Sequence, residues 1–229
     1  MKTKLLLCGL IASTALATFG ATASGGVDPT RFSTRIDNPW FPLRPGTIYE
    51  YRGGEGGKPT RDVVTVTQRT ITIAGVRARV VRDLVYTEGR LSERTNDYYA
   101  QDRPGNVWYL GEDTAELDDK GHVTSTAGTW RAGVAGARPG ILMPATPVVG
   151  NAYRQEYYKG QAEDYARAVS VFRTVTGAPK ANGLLTEEWS PLEPGVLDQK
   201  MYVRGIGNVL ERTVKGGDEH LELQSIRTG

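Results

Sequence analysis

The chain has 229 residues, with 28 Lys and Arg against 26 Asp and Glu, two His and a single Cys. Its first 23 residues hold two Lys, no acid and that Cys, so removing them leaves 206 residues with 26 basic and 26 acidic side chains and no net charge. Such a balance argues against nucleic-acid binding, which needs a basic excess to displace counterions from phosphates. It argues equally against a polybasic membrane-surface protein, and the N-terminal apolar run is too short for stable membrane insertion. A chain of this length is most simply one domain with a core of its own.

Residues 1–23 have the layout of a secretory signal peptide. Lys2 and Lys4 make a short basic start, Leu5 to Ala17 an apolar run, and Ala21 and Ala23 small residues ahead of a cut before Ser24. The apolar run falls short of a membrane span, and Cys8 sits too early for a lipidation signal. The expected location is therefore periplasmic or secreted. The mature chain has no cysteine, hence no disulfide, thiolate metal site or thiol nucleophile.

Residues 24–38 read as a flexible leader, followed by a single β-rich domain over 39–229. Thr47 to Arg52 is the first predicted strand, and Gly53 to Pro59 its hairpin loop. Val63 to Ile73 is rich in Val, Thr and Ile, residues that suit a pleated surface. Val76 to Tyr86, Leu91 to Gln101 and Asn106 to Gly111 follow, separated by short turns bearing Gly75, Gly89 and Gly105. His122 to Trp130 is a further strand after the turn at Asp118 to Gly121. Ala132 to Val149 carries Gly133, Gly136 and Gly140 with Pro139, Pro144 and Pro147, and reads as a long irregular loop.

Strands resume at Ala152 to Lys159 and at Glu163 to Val175, where helical spacing competes with alternation. Leu184 to Trp189, Leu197 to Val203, Gly207 to Val214 and His220 to Ile226 complete the chain. Strands this close together, with no room for helical crossovers, predict an all-β fold: an antiparallel meander forming a strongly curved sheet or barrel of about ten strands.

Several chemistries lack their motifs. There is no Gly-x-Ser-x-Gly elbow and no phosphate- or dinucleotide-binding glycine fingerprint, so no cofactor is implied. His122 and His220 read as turn histidines without triad or zinc partners, and no metal site is implied. The acidic run from Asp113 to Asp119 lacks calcium-hand spacing.

Polar and aromatic residues concentrate in two segments. Between Arg94 and Asp102, alternation puts Asp97 and Tyr99 on one face; on the following strand Trp108 and Glu112 share a face. Between Tyr153 and Tyr158, Arg154, Glu156 and Tyr158 share a face. A barrel lined by these residues would form a pocket with an apolar body and a few polar hooks. Asp97 or Glu156 against aromatic rings would then have a raised pKa, and Arg154 would hold an anionic group. Read more plainly, the rings are cross-strand pairs and the charges outer-face ion pairs.

The run Asp97 to Asp102 (DYYAQD), followed by Gly105 to Asp113 (GNVWYLGED), resembles a family of exported bacterial β-rich proteins of unassigned function. Gly128 to Trp130, Gly136 to Gly140, Met143 to Ala145, Tyr153 to Tyr157, Ala162 to Asp164 and Pro191 to Pro194 extend the resemblance over most of the mature chain. More loosely, Phe41 to Gly46 and Tyr202 to Val209 are similar to half-barrel secreted proteins and lipoproteins, a resemblance that implies apolar or amphipathic ligands. The stretch Gly177 to Gly183 departs from the strand–turn pattern, so register is open over 160–185. Three readings follow. The first is a small-molecule, lipid-like or saccharide binder using Asp97, Tyr99, Trp108, Glu112, Arg154, Glu156 and Tyr158. The second is an extracytoplasmic lyase or glycosidase-like enzyme with Asp97, Glu112 or Glu156 as acid or base and Tyr99 assisting. The third is a structural envelope protein.

Overall fold

The computed structural model describes residues 28–173 and 182–229; the leader reading of residues 1–23 and most of the 177–183 stretch lie outside them. One turn of 3-10 helix (Pro29–Arg31) opens the described chain, its first free backbone N–H, that of Thr30, bonded to the Asp28 carboxylate at 3.0 Å. In chain order the strands are β1 (Phe32–Ser33), β2 (Thr47–Glu55), β3 (Lys58–Ile73), β4 (Val76–Thr87), β5 (Arg90–Asp102), β6 (Val107–Leu117), β7 (Val123–Ser125) and β8 (Trp130–Arg131). They continue as β9 (Arg138–Met143), β10 (Ala152–Arg154), β11 (Glu156–Tyr157), β12 (Tyr165–Arg173), β13 (Asn182–Trp189), β14 (Leu197–Val203), β15 (Gly207–Lys215) and β16 (His220–Thr228).

The fold is all-β and antiparallel. The main path of the sheet runs β10-β12-β13-β14-β15-β16-β2-β3-β4-β5-β6-β9-β11, with β1 on β5 and both β7 and β8 on β6. The strands therefore exceed the expected ten. Three of the extra ones come from segments read differently in the sequence. The Gly/Pro-rich stretch 132–149 contains β9, which pairs with β6 through Tyr109 and Gly140. The expected strand over 122–130 is two short pieces, β7 and β8. The expected strand over 152–159 splits around Gln155.

Local chemistry explains the meander. Three successive hairpins, β2–β3, β3–β4 and β4–β5, turn on two residues: Gly56 and Gly57, Ala74 and Gly75, Glu88 and Gly89. Both residues of each pair have positive φ, the turn whose twist matches that of the flanking strands. Residues ahead of 39 also take part in the fold. Ile36 bridges to Leu43, and Asn38 is 2 % exposed. The Asn38 amide donates to the carbonyls of Gly105 (2.9 Å) and Pro144 (3.1 Å), while its oxygen accepts from Trp40 N–H at 2.8 Å.

The barrel closes through one short segment. Residues 152–154 pair with β12 at one end of the path and residues 156–157 pair with β9 at the other. Gln155, between them, donates its N–H to the Asp164 carbonyl at 2.8 Å. Segment 152–157 thus acts as a clasp.

A bulge in β6 sets the inner face. Asp97 faces Glu112, but Tyr99 faces Tyr109, so β6 spends one extra residue between them. Gly111 takes this up at φ +138°, with its Cα against the Trp130 backbone. A Cβ there would lie 2.3 Å from the Trp130 carbonyl oxygen. Gly111→Ala is expected to cost about 2–4 kcal/mol of stability by chemical denaturation; a loss under 1 kcal/mol would show that the bulge can relax.

Candidate functional site

The inner face of the barrel is built rung by rung. On β3 the alternation Asp62, Val64, Val66 points inward. On β4 it is Val81 and Asp83, on β5 Glu93, Thr95, Asp97 and Tyr99, and on β6 Tyr109 and then, past the bulge, Glu112 and Thr114. The pairs Val64 with Asp83, Val81 with Asp97 and Asp97 with Glu112 are directly opposite one another. On the far wall Glu188, Lys200 and Glu211 face inward from β13, β14 and β15.

These walls enclose a cavity of about 260 Å³. Apolar and aromatic groups form its body, among them Tyr49, Tyr51, Val64, Val81, Tyr99 and Leu221. Eleven Asp or Glu residues and a single Lys line it, with no Arg or His, among the described residues. Among the residues whose side chains are described, 26 acidic and 24 basic, fifteen acids and twenty-three bases lie elsewhere. The overall charge balance conceals a strong segregation, acidic within and basic without.

Most of the interior acids have partners. The Tyr109 hydroxyl donates to Asp97 Oδ1 at 2.6 Å, and Trp130 Nε1 donates to Glu156 Oε2 at 2.7 Å. Thr95 and Thr114 donate to Glu93 Oε1 at 3.1 and 3.2 Å. Lys200 Nζ lies 3.1 Å from Glu188 Oε2 and 3.3 Å from Glu211 Oε2. By contrast, Oδ1 of Asp62, of Asp83 and of Asp164 is buried with no hydrogen-bond partner; Asp62 and Asp83 are each 8 % exposed.

Burial and mutual repulsion set the electrostatics. Asp97 is held well above the usual carboxylate range by loss of water and then by the charge of Glu112, although its Tyr109 hydrogen bond pulls the other way. Asp62 is raised well above that range by burial and by Asp83. Burial also raises Glu93, and raises Glu188 against the pull of Lys200. Burial opposes the charge of Lys200, yet Glu188 and Glu211 more than offset it and push its pKa well up.

Comparison with known proteins adds little beyond this geometry. No family model and no curated protein sequence matches the chain. Two solved structures resemble it in outline. A candidate exported protein with a YmcC-like fold from Bacteroides fragilis aligns at 14% identity and a TM-score of 0.47, covering 82% of this chain and 99% of that one. A candidate lipoprotein from Parabacteroides distasonis aligns at 9% identity and a TM-score of 0.43, covering 82% and 98%.

Of the seven residues singled out from the sequence, Asp97, Tyr99, Glu112 and Glu156 come together on the cavity wall. The other three do not line it. Trp108 lies on the opposite side of β6, donating its indole N–H to Asp102 Oδ2 at 2.8 Å and meeting Phe32 edge-on. Simple alternation put it with Glu112; the bulge at Gly111 moves Tyr109 inward in its place. Gly111 inside a strand-like run was the available signal.

Tyr158 packs against the core and borders a separate hollow with Arg131 and Val134. Arg154 belongs to a ladder of cations and rings that crosses the clasp. Its guanidinium sits 4.4 Å from the centre of the Tyr157 ring and 4.7 Å from that of Tyr165. Arg138 covers Tyr157 from β9, and Tyr165 stacks on Trp189 at 5.8 Å. Arg154→Ala should therefore lower stability by about 1–2 kcal/mol and leave binding in the cavity unchanged. A loss of binding without loss of stability would place Arg154 in the site after all.

Sequence reasoning missed Asp62, Asp83, Glu188, Lys200 and Glu211. The first two carry a readable signal. Asp62 precedes Val64 and Val66 at the same parity, and Asp83 lies between Val81 and Val85, so each puts a charge where the pattern calls for an apolar side chain. Among the described residues, no three His, Cys, Asp or Glu side chains are grouped so as to hold a metal ion.

Proposed function

We propose that the chain is an exported binding protein whose barrel holds a small amphipathic ligand. The observation that carries this reading is the unfilled interior. Small barrels of purely structural role fill their lumen with side chains, whereas here an aromatic-walled cavity of about 260 Å³ keeps three buried carboxylate oxygens, on Asp62, Asp83 and Asp164, without partners. Isolated polar atoms of this kind are costly in a finished core and suit a site that a ligand completes. Export rests on the 1–23 leader. Among the described residues no helix is long and apolar enough to cross a membrane.

The test uses N-phenyl-1-naphthylamine, a neutral amphipathic fluorophore that brightens when it leaves water. The wild-type protein should bind one equivalent saturably. Val64→Trp, which fills the cavity from the β3 wall, should abolish the signal while the variant stays folded by circular dichroism. Absence of saturable binding, or equal binding by Val64→Trp, would overturn the proposal.

A further inference from the structure

The arrangement of the interior carboxylates says more about the occupant, given the binding reading above. Asp62 on β3 faces Val85 on β4, and Asp83 lies two residues along from Val85. Asp83 faces Thr95 on β5, and Asp97 lies two residues along from Thr95. Asp97 then faces Glu112 on β6. The four acids thus descend diagonally across four neighbouring strands, in steps of roughly 7–8 Å and a last step of about 5 Å between backbone positions. Valines and tyrosines fill the positions between them.

We propose that the ligand is an aliphatic polyamine, a chain of ammonium groups joined by short methylene spacers, laid along the diagonal Asp62, Asp83, Asp97 and Glu112. Each ammonium would sit at an acid of the diagonal, and the buried Oδ1 atoms of Asp62 and Asp83 would accept its hydrogen bonds. The methylenes would lie against Val64, Val81, Tyr51 and Leu221.

Other occupants fit less well. An anionic headgroup finds no Arg or His in the cavity, and the single Lys is already flanked by Glu188 and Glu211. A lone quaternary ammonium wants open ring faces, but Tyr99 and Tyr109 are stacked on each other at 4.9 Å and 21°. A metal ion wants three or more ligands converging on one point, and the diagonal spreads its acids out. The diagonal offers a row of carboxyls on neighbouring strands, which a flexible polycation satisfies one at a time.

Spermidine is the probe, measured by calorimetry at pH 8 and physiological salt, with n-propylamine, choline and calcium as comparisons. One saturable spermidine site is expected, with each comparison at least about 100-fold weaker. Asp83→Asn and Asp97→Asn should each weaken spermidine about tenfold or more while N-phenyl-1-naphthylamine binding persists, which also shows that the variants fold. Asp119→Asn, at an exposed acid paired with Arg90, should change nothing. Spermidine binding that is absent, unaffected by both interior variants, or matched by calcium or choline would overturn the proposal. If the fluorophore binds and spermidine does not, only the polyamine assignment falls; if neither binds, the binding reading falls with it.

Discussion

Ligand-free protein will melt at a lower temperature at pH 8 than at pH 5. The carboxyls of Asp62, Glu93, Asp97 and Glu188 have pKa values raised in the folded state by burial. A group raised on folding holds its proton more tightly in the native chain. Its contribution to stability is complete below the unfolded value and is lost as the pH rises through the folded value. The groups around Asp97 reinforce this, since Glu112, Asp83 and Glu93 face it from β6, β4 and β5 and all resist its ionisation.

Asp28, Glu50 and Asp118 have lowered pKa values, from their hydrogen bonds to Thr30, Arg52 and His122 respectively. Their stabilisation is lost only as the pH falls below the usual carboxylate range, outside the window compared here. One pKa unit is about 1.4 kcal/mol, so a unit at each of two interior groups lowers the melting temperature by ~6–12 °C at this chain length. Asp97→Asn should flatten the profile and raise the melting temperature at pH 8. A profile flat or rising from pH 5 to pH 8 would show that the interior acids are ionised and solvated.

Gly140→Ala will open the barrel. A Cβ at Gly140 would lie 2.4 Å from the carbonyl carbon and oxygen of Gln155 and 2.6 Å from the Arg154 carbonyl oxygen. These are backbone atoms of the clasp, held by pairing on both sides, so they cannot step aside as a flexible side chain would. The expected loss is about 3 kcal/mol or more, at the upper end of single substitutions, together with fluorophore binding weakened in proportion to the disturbed wall. Protection of the Gln155 amide from hydrogen exchange should fall first. A variant with native melting temperature and intact protection at Gln155 would show that the clasp tolerates a wider gap.

Much of this architecture could be read from the residues. Gly56, Gly75 and Gly89 marked the tight hairpins, and the Val- and Thr-rich runs between them marked β3 to β5. Short pieces were harder, because β8 and β11 have two residues each and exist only through their partners on β6 and β9. The Pro139 and Gly140 pair looked like loop chemistry, yet the missing Cβ of Gly140 is what lets β9 lie against the clasp.

The cavity wall was legible where alternation held, at Asp97, Tyr99, Glu112 and Glu156. The reading failed at Trp108, where one bulge reverses the face, and at Arg154, whose neighbours Tyr157 and Tyr165 meet it only after the barrel closes. The overall charge gave no hint of the interior, since a sum over the chain cannot tell inside from outside.

The clasp has one more consequence. An open sheet of this size would present unpaired N–H and C=O groups along its outermost strands, a template on which another molecule's strand can add. Residues 152–157 occupy both of those borders at once with six residues of the protein's own chain. A lesion there is therefore expected to convert a self-contained molecule into one prone to grow by intermolecular β-pairing, so that soluble oligomers and then fibrous aggregates, rather than simple unfolding, would be its hallmark.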